Sequence, residues 1–599
     1  MAEPVDWAPD GTPRSARFGD VYRSTAGAAQ ARHVFLQGCG LPAAWAGRPQ
    51  WRILETGFGL GLNFLATWRA WQDDPARPRL LHFVSTEAFP VAAPDLVRSA
   101  EVAAPELVPL ARALADRWWG LVPGFHRLAF EDGRVLLTLC VGDARAQLEE
   151  QSFPADAVFL DGFDPQRNPD MWSLPLLQAV ARCCHPGTSL ATWTVAGQVR
   201  RDLQQCGFVV EKAPGVPPKR ECLRARFRPE AASDPAPARA GRALVIGAGL
   251  AGAACAASLA RRGWSTRVLD AASEPAAGAS GLPAGLLAPH TSADDHLLSR
   301  LSRAGVRTTL QEAERLLRPG LDWERSGVLE LRAGPRVLPD FGEEGLPWQR
   351  HDAETGGTWH EAAAWIRPAA LVRAWLAQPG IEWHGGVRIA QLVRNGEDWQ
   401  ALDASGRPAG SADLVVVAAA LGSDPLLPGR LALHAVRGQV SRGTSPADAH
   451  WPSHPLNGNG HFLPRVPLPD GPGWLSGSTY VRGDVSLQVR EAEHRANLER
   501  LETLCPGVAQ RLRHDFDAGR VKAWVGVRCA STDRRPLVGP LDGGLWVSTA
   551  MGSRGLTFAA LCAELLAAQL HEEPWPLPAS LATALDAARQ APRRAPAGP

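Results

Sequence analysis

Arg52-Ile-Leu-Glu-Thr-Gly-Phe-Gly-Leu-Gly61 and Ala243-Leu-Val-Ile-Gly-Ala-Gly-Leu-Ala-Gly252 are the two stretches of sequence that decide the fold. In each, a short apolar run meets a glycine-rich turn and continues into a segment that reads as an apolar helix. This pattern predicts a buried strand that turns sharply into a helix, which is how a doubly wound parallel sheet begins. Because the residues that follow the two turns differ, the sequence predicts two α/β domains in tandem and not a repeat.

The length and composition are those of a globular protein with more than one domain. The chain has 599 residues, of which 45% are hydrophobic and 21% are charged, values that allow two large domains. The formal net charge of +1 excludes a strongly basic protein that coats nucleic acid, although it allows a local basic patch.

The ten cysteines indicate neither a disulfide framework nor a metal site. They form no Cys-x-x-Cys pair and no Cys/His cluster with zinc-ligand spacing, and scattered cysteines in a long chain suit a reducing compartment. The first residues lack the basic and apolar regions of a signal peptide. The nearly uncharged stretch 243–260 contains glycines and is interpreted as a strand, a turn and a helix. We therefore expect a cytoplasmic protein without a metal ion or a membrane contact.

A clear change of composition marks the predicted domain boundary. Residues 229–240 are small and proline-rich and have no apolar periodicity, which is typical of a linker. The residues after about Pro574 are rich in Pro, Ala and Arg and predict a frayed tail. The predicted parts are, in chain order, a domain at 1–228, a linker at 229–240, and a domain at 241–599 with nucleotide-binding parts at about 241–290 and 520–575 and an α+β substrate subdomain between them.

The first glycine turn predicts a site for a positively charged, nucleotide-like ligand. Gly57, Gly59 and Gly61 lack a β-carbon, so the backbone can approach a ligand closely there. Glu55, just before them, would repel a pyrophosphate and suits an ammonium or sulfonium group instead. The next predicted strand ends in Glu87, which is placed to accept hydrogen bonds from both hydroxyls of a ribose.

Two further predicted strands of this domain also end in acidic residues. Asp143 follows the strand 135–141 and is placed to take the exocyclic amine of an adenine. Asp161 and Phe163 follow the strand 157–160. Open α/β sheets bind ligands at the carboxyl ends of their strands. A Gly-x-Gly-x-Gly turn alone is weak evidence, but with a succession of acidic strand ends it favours an S-adenosylmethionine-dependent methyltransferase.

Asp161 and Phe163 are the catalytic candidates of the first domain. Methyl transfer requires alignment and a neutral nucleophile. Asp161 would hold or deprotonate an attacking amine, and Phe163 would stack on a flat substrate. The alternatives are a helix cap or structural turn for Asp161 and a core position for Phe163.

The second glycine turn matches the dinucleotide-binding fingerprint. Gly247, Gly249 and Gly252 follow an apolar strand and open a helix of small residues, and Asp270 ends the next strand. This spacing predicts a pyrophosphate at the helix N-terminus and Asp270 on the adenosine ribose. The fingerprint by itself does not separate NAD from FAD.

Three later segments favour FAD. Residues 278–289, which include Ser280, are small enough to lie against an isoalloxazine ring. Residues 413–422 predict a buried strand that ends beside the nucleotide. Residues 545–557 predict a strand, a glycine turn at Gly552 and a helix, which return late in the chain to complete the site.

With these motifs the chain resembles the bacterial bifunctional proteins that make 5-methylaminomethyl-(2-thio)uridine at the wobble position of tRNA. Its second half also resembles the glycine and D-amino-acid oxidase class of flavoproteins. The resemblance rests on Asp20-Val-Tyr22, Arg32-His-Val-Phe-Leu36, the segments 55–64 and 160–172, Lys219-Arg-Glu221, the dinucleotide turn, Gly278-Ala-Ser-Gly281 and Gly552-Ser-Arg-Gly-Leu556.

The resemblance implies a two-step reaction on tRNA. A FAD-dependent domain would oxidise carboxymethylaminomethyl-(2-thio)uridine and release glyoxylate. A domain that uses S-adenosylmethionine would then methylate the freed amine. Arg554 and Arg528 are candidates for binding the carboxylate that is removed. Lys219 and Arg220 are candidates for contacting tRNA phosphates near the anticodon, and we expect a monomer.

Two other functions remain open from the sequence. One is a glycine- or sarcosine-type amine oxidase fused to a small-amine methyltransferase, which the oxidase-like second half suggests. The other is a protein in which one domain is inactive and serves only to dock tRNA. Leu282, Pro283 and Met551 motivate this last alternative, because the resemblance leads one to expect polar residues and a histidine at these positions.

Overall fold

The computed structural model describes residues 2–23, 27–217, 219–228, 240–332, 334, 337–446 and 450–590. The predicted linker lies outside these ranges except for Ala240. The chain divides into two compact units. They are Met1–Ala238 with Phe341–Gly345 and Ala568–Ser580, and Arg239–Asp340 with Leu346–Ala567 and Leu581–Pro599. The first unit thus includes two short segments that composition had placed in the second.

The first unit begins with ten strands and seven helices among the described residues. The strands are β1 Val5–Trp7, β2 Pro13–Ser15, β3 Gln50–Thr56, β4 Leu80–Glu87, β5 Gly124–Phe130, β6 Val135–Val141, β7 Ala155–Leu160, β8 Cys184–Thr192, β9 Phe208–Pro214 and β10 Glu221–Phe227. The helices are α1 Gly27–Gln30, α2 Leu62–Asp73, α3 Ala93–Ala103, α4 Val108–Ala115, α5 Ala144–Glu149, α6 Leu174–Arg182 and α7 Gly197–Gln205.

The main sheet of the first unit has the order β5-β6-β4-β3-β7-β8-β10-β9 in the described chain. The five strands from β6 to β8 run parallel, and β5, β10 and β9 are antiparallel to their neighbours. From β3 the chain moves first toward β4 and β6 and later toward β7 and β8. The strand order therefore reverses between β3 and β7, and a crevice forms beyond their carboxyl ends.

The remaining described strands and α-helices follow in chain order and lie in the second unit, except that the last two helices extend across its boundaries with the segment Ala568–Ser580. The strands are β11 Arg242–Ile246, β12 Ser265–Leu269, β13 Gly285–Leu287, β14 Trp323–Glu324, β15 Val328–Glu330, β16 Arg350–His351, β17 Thr358–His360, β18 Ala364–Ile366, β19 Ile381–His384, β20 Ile389–Asn395, β21 Asp398–Asp403, β22 Pro408–Ala412, β23 Leu414–Val417, β24 Leu433–Thr444, β25 Leu456–Gly458, β26 Gly460–Leu468, β27 Gly471–Gly477, β28 Val481–Arg482, β29 Lys522–Ser531, β30 Leu537–Asp542 and β31 Leu545–Thr549. The helices are α8 Leu250–Arg261, α9 Leu297–Leu316, α10 Pro368–Leu376, α11 Ser423–Leu426, α12 Glu491–Leu504, α13 Pro506–Asp517, α14 Gly555–His571 and α15 Ala579–Thr583.

Two large sheets organise the second unit. One has the order β19-β12-β11-β23-β31-β30 and is parallel except for its last strand. Its strand order reverses between β11 and β23, beside the second glycine turn. The other runs β16-β17-β15-β25-β26-β27-β24-β28, with β29 also paired to β24, and is mostly antiparallel. The predicted α/β fold class, with a doubly wound sheet in each half and an α+β part in the second, is confirmed.

The predicted frayed tail is wrong for residues 575–590. Leu577 is buried, and the backbone of Trp575 exchanges two hydrogen bonds with the side chain of Gln151, at 3.1 and 3.2 Å. Arg127 also donates to the carbonyl of Pro574. Proline-rich composition led to the wrong expectation because these partners are hundreds of residues away in sequence. Separately, none of the described helices is long and apolar enough to cross a membrane.

Helix α8 packs very closely against the turn that precedes it. A β-carbon at Gly252 would lie 1.8 Å from the carbonyl oxygen of Gly247. We therefore expect Gly252→Ala to destabilise this strand–turn–helix by about 1–3 kcal/mol. Hydrogen–deuterium exchange of the peptide 243–261 measures the effect. Gly507→Ala is the control, because a β-carbon there meets no atom within 4 Å; equal protection in both variants would contradict the expectation.

Candidate functional sites

The first glycine turn adopts a backbone conformation that favours glycine. Gly57, Gly59 and Gly61 have φ angles of +85°, +53° and +73°, in the left-handed region that L-residues with a side chain rarely adopt. Gly61 is the N-cap of α2. The chain can therefore pass from β3 into α2 in a tight turn, which the N–H groups of Gly57 and Phe58 fasten to the carbonyl of Thr86.

Two of the predicted ligand carboxylates are held by backbone N–H groups. Glu87, at the end of β4, accepts hydrogen bonds from the N–H groups of Gly59 and Phe89, both at 2.9 Å. Asp143 caps α5 by accepting from the N–H of Ala146 at 2.9 Å. These bonds fix the direction of both side chains at the carboxyl edge of the sheet.

A cavity of about 980 Å³ opens at this edge. The predicted residues that line it are Gly57, Gly59, Glu87, Asp143, Asp161, Phe163 and Lys219. Glu55, Gly61 and Arg220 do not line it. The structure therefore places most, but not all, of the residues predicted for this site around one cavity.

Glu55 lies beneath the cavity and not on its surface. Its side chain is buried, 1% exposed, and accepts hydrogen bonds from Asn63 at 2.9 Å and from Ser85 at 2.7 Å. The amide of Asn63 also donates to Oδ2 of Asp161, at 2.9 Å. Asn63 thus connects the two carboxylates, a role that sequence reasoning missed and that the position of α2 creates.

Asp161 is fixed by three donors. Its Oδ2 accepts from Asn63 as described, while its Oδ1 accepts from the N–H of Gly162 at 2.8 Å and from the indole N–H of Trp193 at 2.9 Å. Burial raises the pKa of Asp161 to about 6, although these hydrogen bonds and the charge of Lys219 oppose the rise. Burial also raises the pKa of Glu55 well above its ordinary value.

An aromatic group borders the same cavity. The ring centroid of Phe163 lies 4.9 Å from that of Phe18 and 5.1 Å from that of Tyr22. Asp20 fastens this N-terminal segment, because its Oδ2 accepts from the N–H of Asp164 at 2.8 Å. The motif Asp20-Val-Tyr22 was noted in the sequence, but nothing in its local pattern showed that it returns to the loop after β7.

The second glycine turn has the features of a nucleotide cradle. Gly247 has a φ of +112°, and a β-carbon there would lie 2.5 Å from the carbonyl oxygen of Ala418. Asp270 accepts from the N–H of Ala248 at 2.6 Å and from that of Ala272 at 2.8 Å. Asp270 comes directly after β12, as predicted, and each of its carboxylate oxygens accepts a hydrogen bond from a backbone N–H group near the turn.

The N-terminus of α8 is open to a ligand. A β-carbon at Gly249 would meet only the hydroxyl oxygen of Ser280 within 4 Å, at 3.1 Å. That hydroxyl accepts a hydrogen bond from the N–H of Leu250 at 3.0 Å. A free space bordered by a helix N-terminus and a serine hydroxyl is suited to the pyrophosphate of a dinucleotide, so these residues fit FAD. Gly552, with a φ of +57°, forms the turn after β31.

Two arginines of the second unit have no acidic partner among the described residues. Arg528 donates to the hydroxyl of Ser478 at 2.7 Å and to the carbonyl of Thr479 at 3.4 Å. Its guanidinium lies 4.6 Å from the ring centroid of Tyr480, and Arg554 also interacts electrostatically with Tyr480. Burial lowers the pKa of both arginines, as expected for cations without a counter-ion.

The backbone makes room for one of these arginines, and a neutral histidine faces it. A β-carbon at Gly438 would lie 2.3 Å from Nη1 of Arg528. Burial and the charge of Arg528 lower the pKa of His461 to about 4, so His461 is neutral near pH 7. Gly438, His461 and Tyr480 are residues of this site that sequence reasoning missed, since no motif marks them.

Comparisons with known proteins match a family to a part of each half of the chain. Residues 105–228 match the family described as S-adenosyl-L-methionine-dependent methyltransferase, and residues 242–569 match FAD dependent oxidoreductase. The predicted cofactors, FAD and S-adenosylmethionine, are thereby confirmed, as is an enzyme with both activities.

Full-length relatives carry one name, tRNA 5-methylaminomethyl-2-thiouridine biosynthesis bifunctional protein MnmC. That of Polaromonas sp. is 55% identical, and the match covers 98% of each chain. That of Polaromonas naphthalenivorans is 53% identical with the same coverage. That of Paracidovorax citrulli is 54% identical over 98% of this chain and 99% of its own. The chain therefore belongs to the family of bifunctional tRNA 5-methylaminomethyl-2-thiouridine biosynthesis proteins.

Proposed function

We propose that this chain carries out two successive steps on the wobble uridine of tRNA. It removes the carboxymethyl group of carboxymethylaminomethyl-(2-thio)uridine by oxidation, and it then methylates the aminomethyl-(2-thio)uridine that results. The observation that carries the proposal is a pair of sites whose ionisable side chains differ in sign, acidic in one and basic in the other. One holds Asp161 among carboxylates beside a glycine turn, and the other holds Arg528 and Arg554 without an acidic partner among the described residues.

In the oxidative step the second unit would orient a glycine-like group. When bound, FAD supplies the acceptor for a hydride from the carbon next to the carboxylate. Arg528 and Arg554 would bind that carboxylate and so fix the carbon. The substrate would give up that hydride, its amine would release a proton to water, and a C=N bond would form. Water then adds to this carbon, the C–N bond breaks, and glyoxylate leaves the free aminomethyl group behind.

In the methylation step the first unit would align that amine. When bound, S-adenosylmethionine supplies the methyl group. A carboxylate has about four acceptor sites, and three on Asp161 are filled, so Oδ2 keeps one for an N–H of the amine. Held there, the nitrogen lone pair would be directed at the methyl carbon whose bond to sulfur is to break, and Asp161 would take the proton that the nitrogen loses. Phe163 would stack on the base.

The remaining predicted residues would hold the two cofactors and the tRNA. For FAD they are Gly247, Gly249, Gly252, Asp270, Ser280 and Gly552. For S-adenosylmethionine they are Gly57, Gly59, Glu87 and Asp143, with Glu55 and Gly61 supporting the turn from beneath. Arg220 is exposed and is suited to a phosphate contact. A cytoplasmic location and a monomeric state stay predictions.

The direct test is mass spectrometry of wobble nucleosides from hypomodified tRNA incubated with the full chain. We expect aminomethyl-uridine without S-adenosylmethionine and methylaminomethyl-uridine with it. Turnover of free glycine or sarcosine without any change in the tRNA would instead support the small-amine enzyme.

Gly249→Val tests the FAD site. The branched side chain would occupy the place of the pyrophosphate, so we expect a colourless protein whose oxidative activity falls below detection. Absorbance near 450 nm, a wavelength at which oxidised flavin absorbs, measures the bound cofactor. Methylation of tRNA that already carries aminomethyl-uridine is the internal control for folding, and a yellow variant would contradict the assignment.

Asp161→Asn tests the methylation site. The amide cannot take the proton, so we expect kcat for methylation to fall by about 10²–10⁴-fold, while FAD-dependent oxidation is unchanged. Loss of both activities in a folded variant would argue against two separate sites.

The pH dependence of the wild-type enzyme provides a second measure of Asp161. Its carboxylate must be ionised to accept the proton, and burial raises its pKa to about 6. The amine must also be neutral, so log kcat/KM rises with pH in the acidic range. We expect this plot to become steeper below about pH 6, where Asp161 is protonated as well. A constant slope through pH 6 would contradict this role.

Arg528→Met and Arg554→Met test the carboxylate site. Loss of a charge-assisted hydrogen bond should raise KM for the oxidative step by about 10- to 100-fold. Arg→Lys at each position keeps the charge but loses the planar fork, and an intermediate KM is expected. An unchanged KM in both Met variants would show that the carboxylate binds elsewhere.

A further inference from the structure

We infer that Lys219 is a positioning residue of the methyl-transfer site, which acts through Trp193 on Asp161, and that it is not a contact for tRNA phosphates. The inference rests on the proposed methylation and departs from the role that the sequence predicted for this lysine. Its neighbour Arg220 remains the candidate for a phosphate contact.

The first step is the position of the lysine charge. Nζ of Lys219 lies 3.2 Å from the centroid of the Trp193 ring. A cation over the face of an indole is attracted by the negative face of the π-system. Lys219 also lines the cavity of about 980 Å³ that contains Asp161, whereas Arg220 does not. Both residues are exposed, but Lys219 borders the cavity with its ammonium over Trp193, whereas Arg220 does not border it.

Backbone contacts keep this arrangement in place. The N–H of Lys219 donates to the carbonyl of Val216 at 2.9 Å, and the N–H of Gly215 donates to the carbonyl of Arg220 at 2.9 Å. A β-carbon at Gly215 would lie 2.8 Å from the carbonyl oxygen of Lys219. The close approach at Gly215 lets the segment fold back so that the lysine reaches Trp193.

The second step is the link from the ring to the carboxylate. The indole N–H of Trp193 donates to Oδ1 of Asp161 at 2.9 Å. A cation on the ring face withdraws electron density and makes this N–H a stronger donor, because neighbouring polar interactions polarise one another. Trp193 is itself held in a T-shaped contact with Trp172, with ring centroids 6.1 Å apart. The lysine thus strengthens a hydrogen bond that it does not itself form.

The third step is the balance of charge around the carboxylate. Lys219 interacts electrostatically with three acids, and burial lowers its own pKa. Those acids are Asp20, Asp161 and Asp164. Asp161 is further faced by Glu55 from β3, whose own pKa is raised by burial and by the charge of Asp161, and by the neutral donors Asn63, Gly162 and Trp193. Lys219 is the cation in this group that favours an ionised Asp161, which is the form able to accept the amine proton.

The test compares Lys219→Met with Lys219→Arg, Trp193→Phe and Arg220→Met in the full-length holoenzyme. The substrate is tRNA that carries aminomethyl-uridine, and kcat, KM, the salt dependence and the pH profile are measured. We expect Lys219→Met to lower kcat about tenfold, in line with the loss of one cation–π contact. KM and the salt dependence should stay at wild-type values, and the steep part of the pH profile should begin at higher pH.

The companion variants separate this role from others. Lys219→Arg keeps a cation over the ring, so we expect it to restore most of kcat. Trp193→Phe loses the indole N–H and should lower kcat and shift the pH profile as Lys219→Met does. Arg220→Met should raise KM and reduce the salt slope by about one with kcat unchanged. Unchanged FAD-dependent oxidation shows that the Lys219 and Trp193 variants are folded, and calorimetric binding of S-adenosylmethionine shows it for Arg220→Met.

Three results would overturn the inference. The first is a Lys219→Met enzyme with raised KM, a reduced salt slope and normal kcat, which is the behaviour of a phosphate contact. The second is a Trp193→Phe enzyme with normal kcat and pH profile, which would remove the link to Asp161. The third is wild-type kcat and pH profile in Lys219→Met. Absence of methyl transfer by the wild-type chain would instead reject the proposed function, which distinguishes the two failures.

Discussion

Both sites depend on the same constraint: where the strand order of a parallel sheet reverses, the chain has to turn from strand to helix with no side chain between neighbouring strand ends. At Gly247 a β-carbon would lie 2.5 Å from the carbonyl oxygen of Ala418, so a larger residue would push β11 and β23 apart. In the first unit, Gly57 and Gly59 have left-handed φ angles, which allow the same sharp turn from strand to helix. The resulting turn leaves an open space that a nucleotide can enter.

This constraint explains which parts of the sites could be predicted. Glu87 ends a strand and Asp143 and Asp161 each follow one, and carboxyl ends of parallel strands meet at one edge. Their convergence therefore follows from local pattern alone. Glu55 differs, because it lies inside β3 and its surroundings are set by α2. Asn63 reaches back to cover it, and no spacing in the sequence shows that contact.

Other parts of the structure depend on contacts between distant residues and had no local signal. The segment with Phe18 and Tyr22 returns to Phe163 across more than a hundred residues, fastened by the carboxylate of Asp20 and by Arg167, which donates to the carbonyl of Gly19. Trp575 is joined to Gln151 in the same way by side-chain hydrogen bonds to backbone. Periodicity and composition report burial of a face within one element. They do not report which distant backbone group a polar side chain will satisfy, and so the content of the first unit was predicted incompletely.

The two sites differ in charge in a manner that suits the order of the proposed reactions. The near-zero net charge of the chain conceals this difference. Before oxidation the substrate side chain would carry a carboxylate, which could pair with Arg528 and Arg554, since neither has an acidic partner in the part of the chain that the structure describes. Loss of glyoxylate removes that negative charge and leaves an amine that carries positive charge when protonated. The amine would have no anion to offer the arginines, whereas Oδ2 of Asp161 would keep an acceptor site for its N–H group. Electrostatics thus favours release from the second unit and binding to the first at the step where the chemistry requires it.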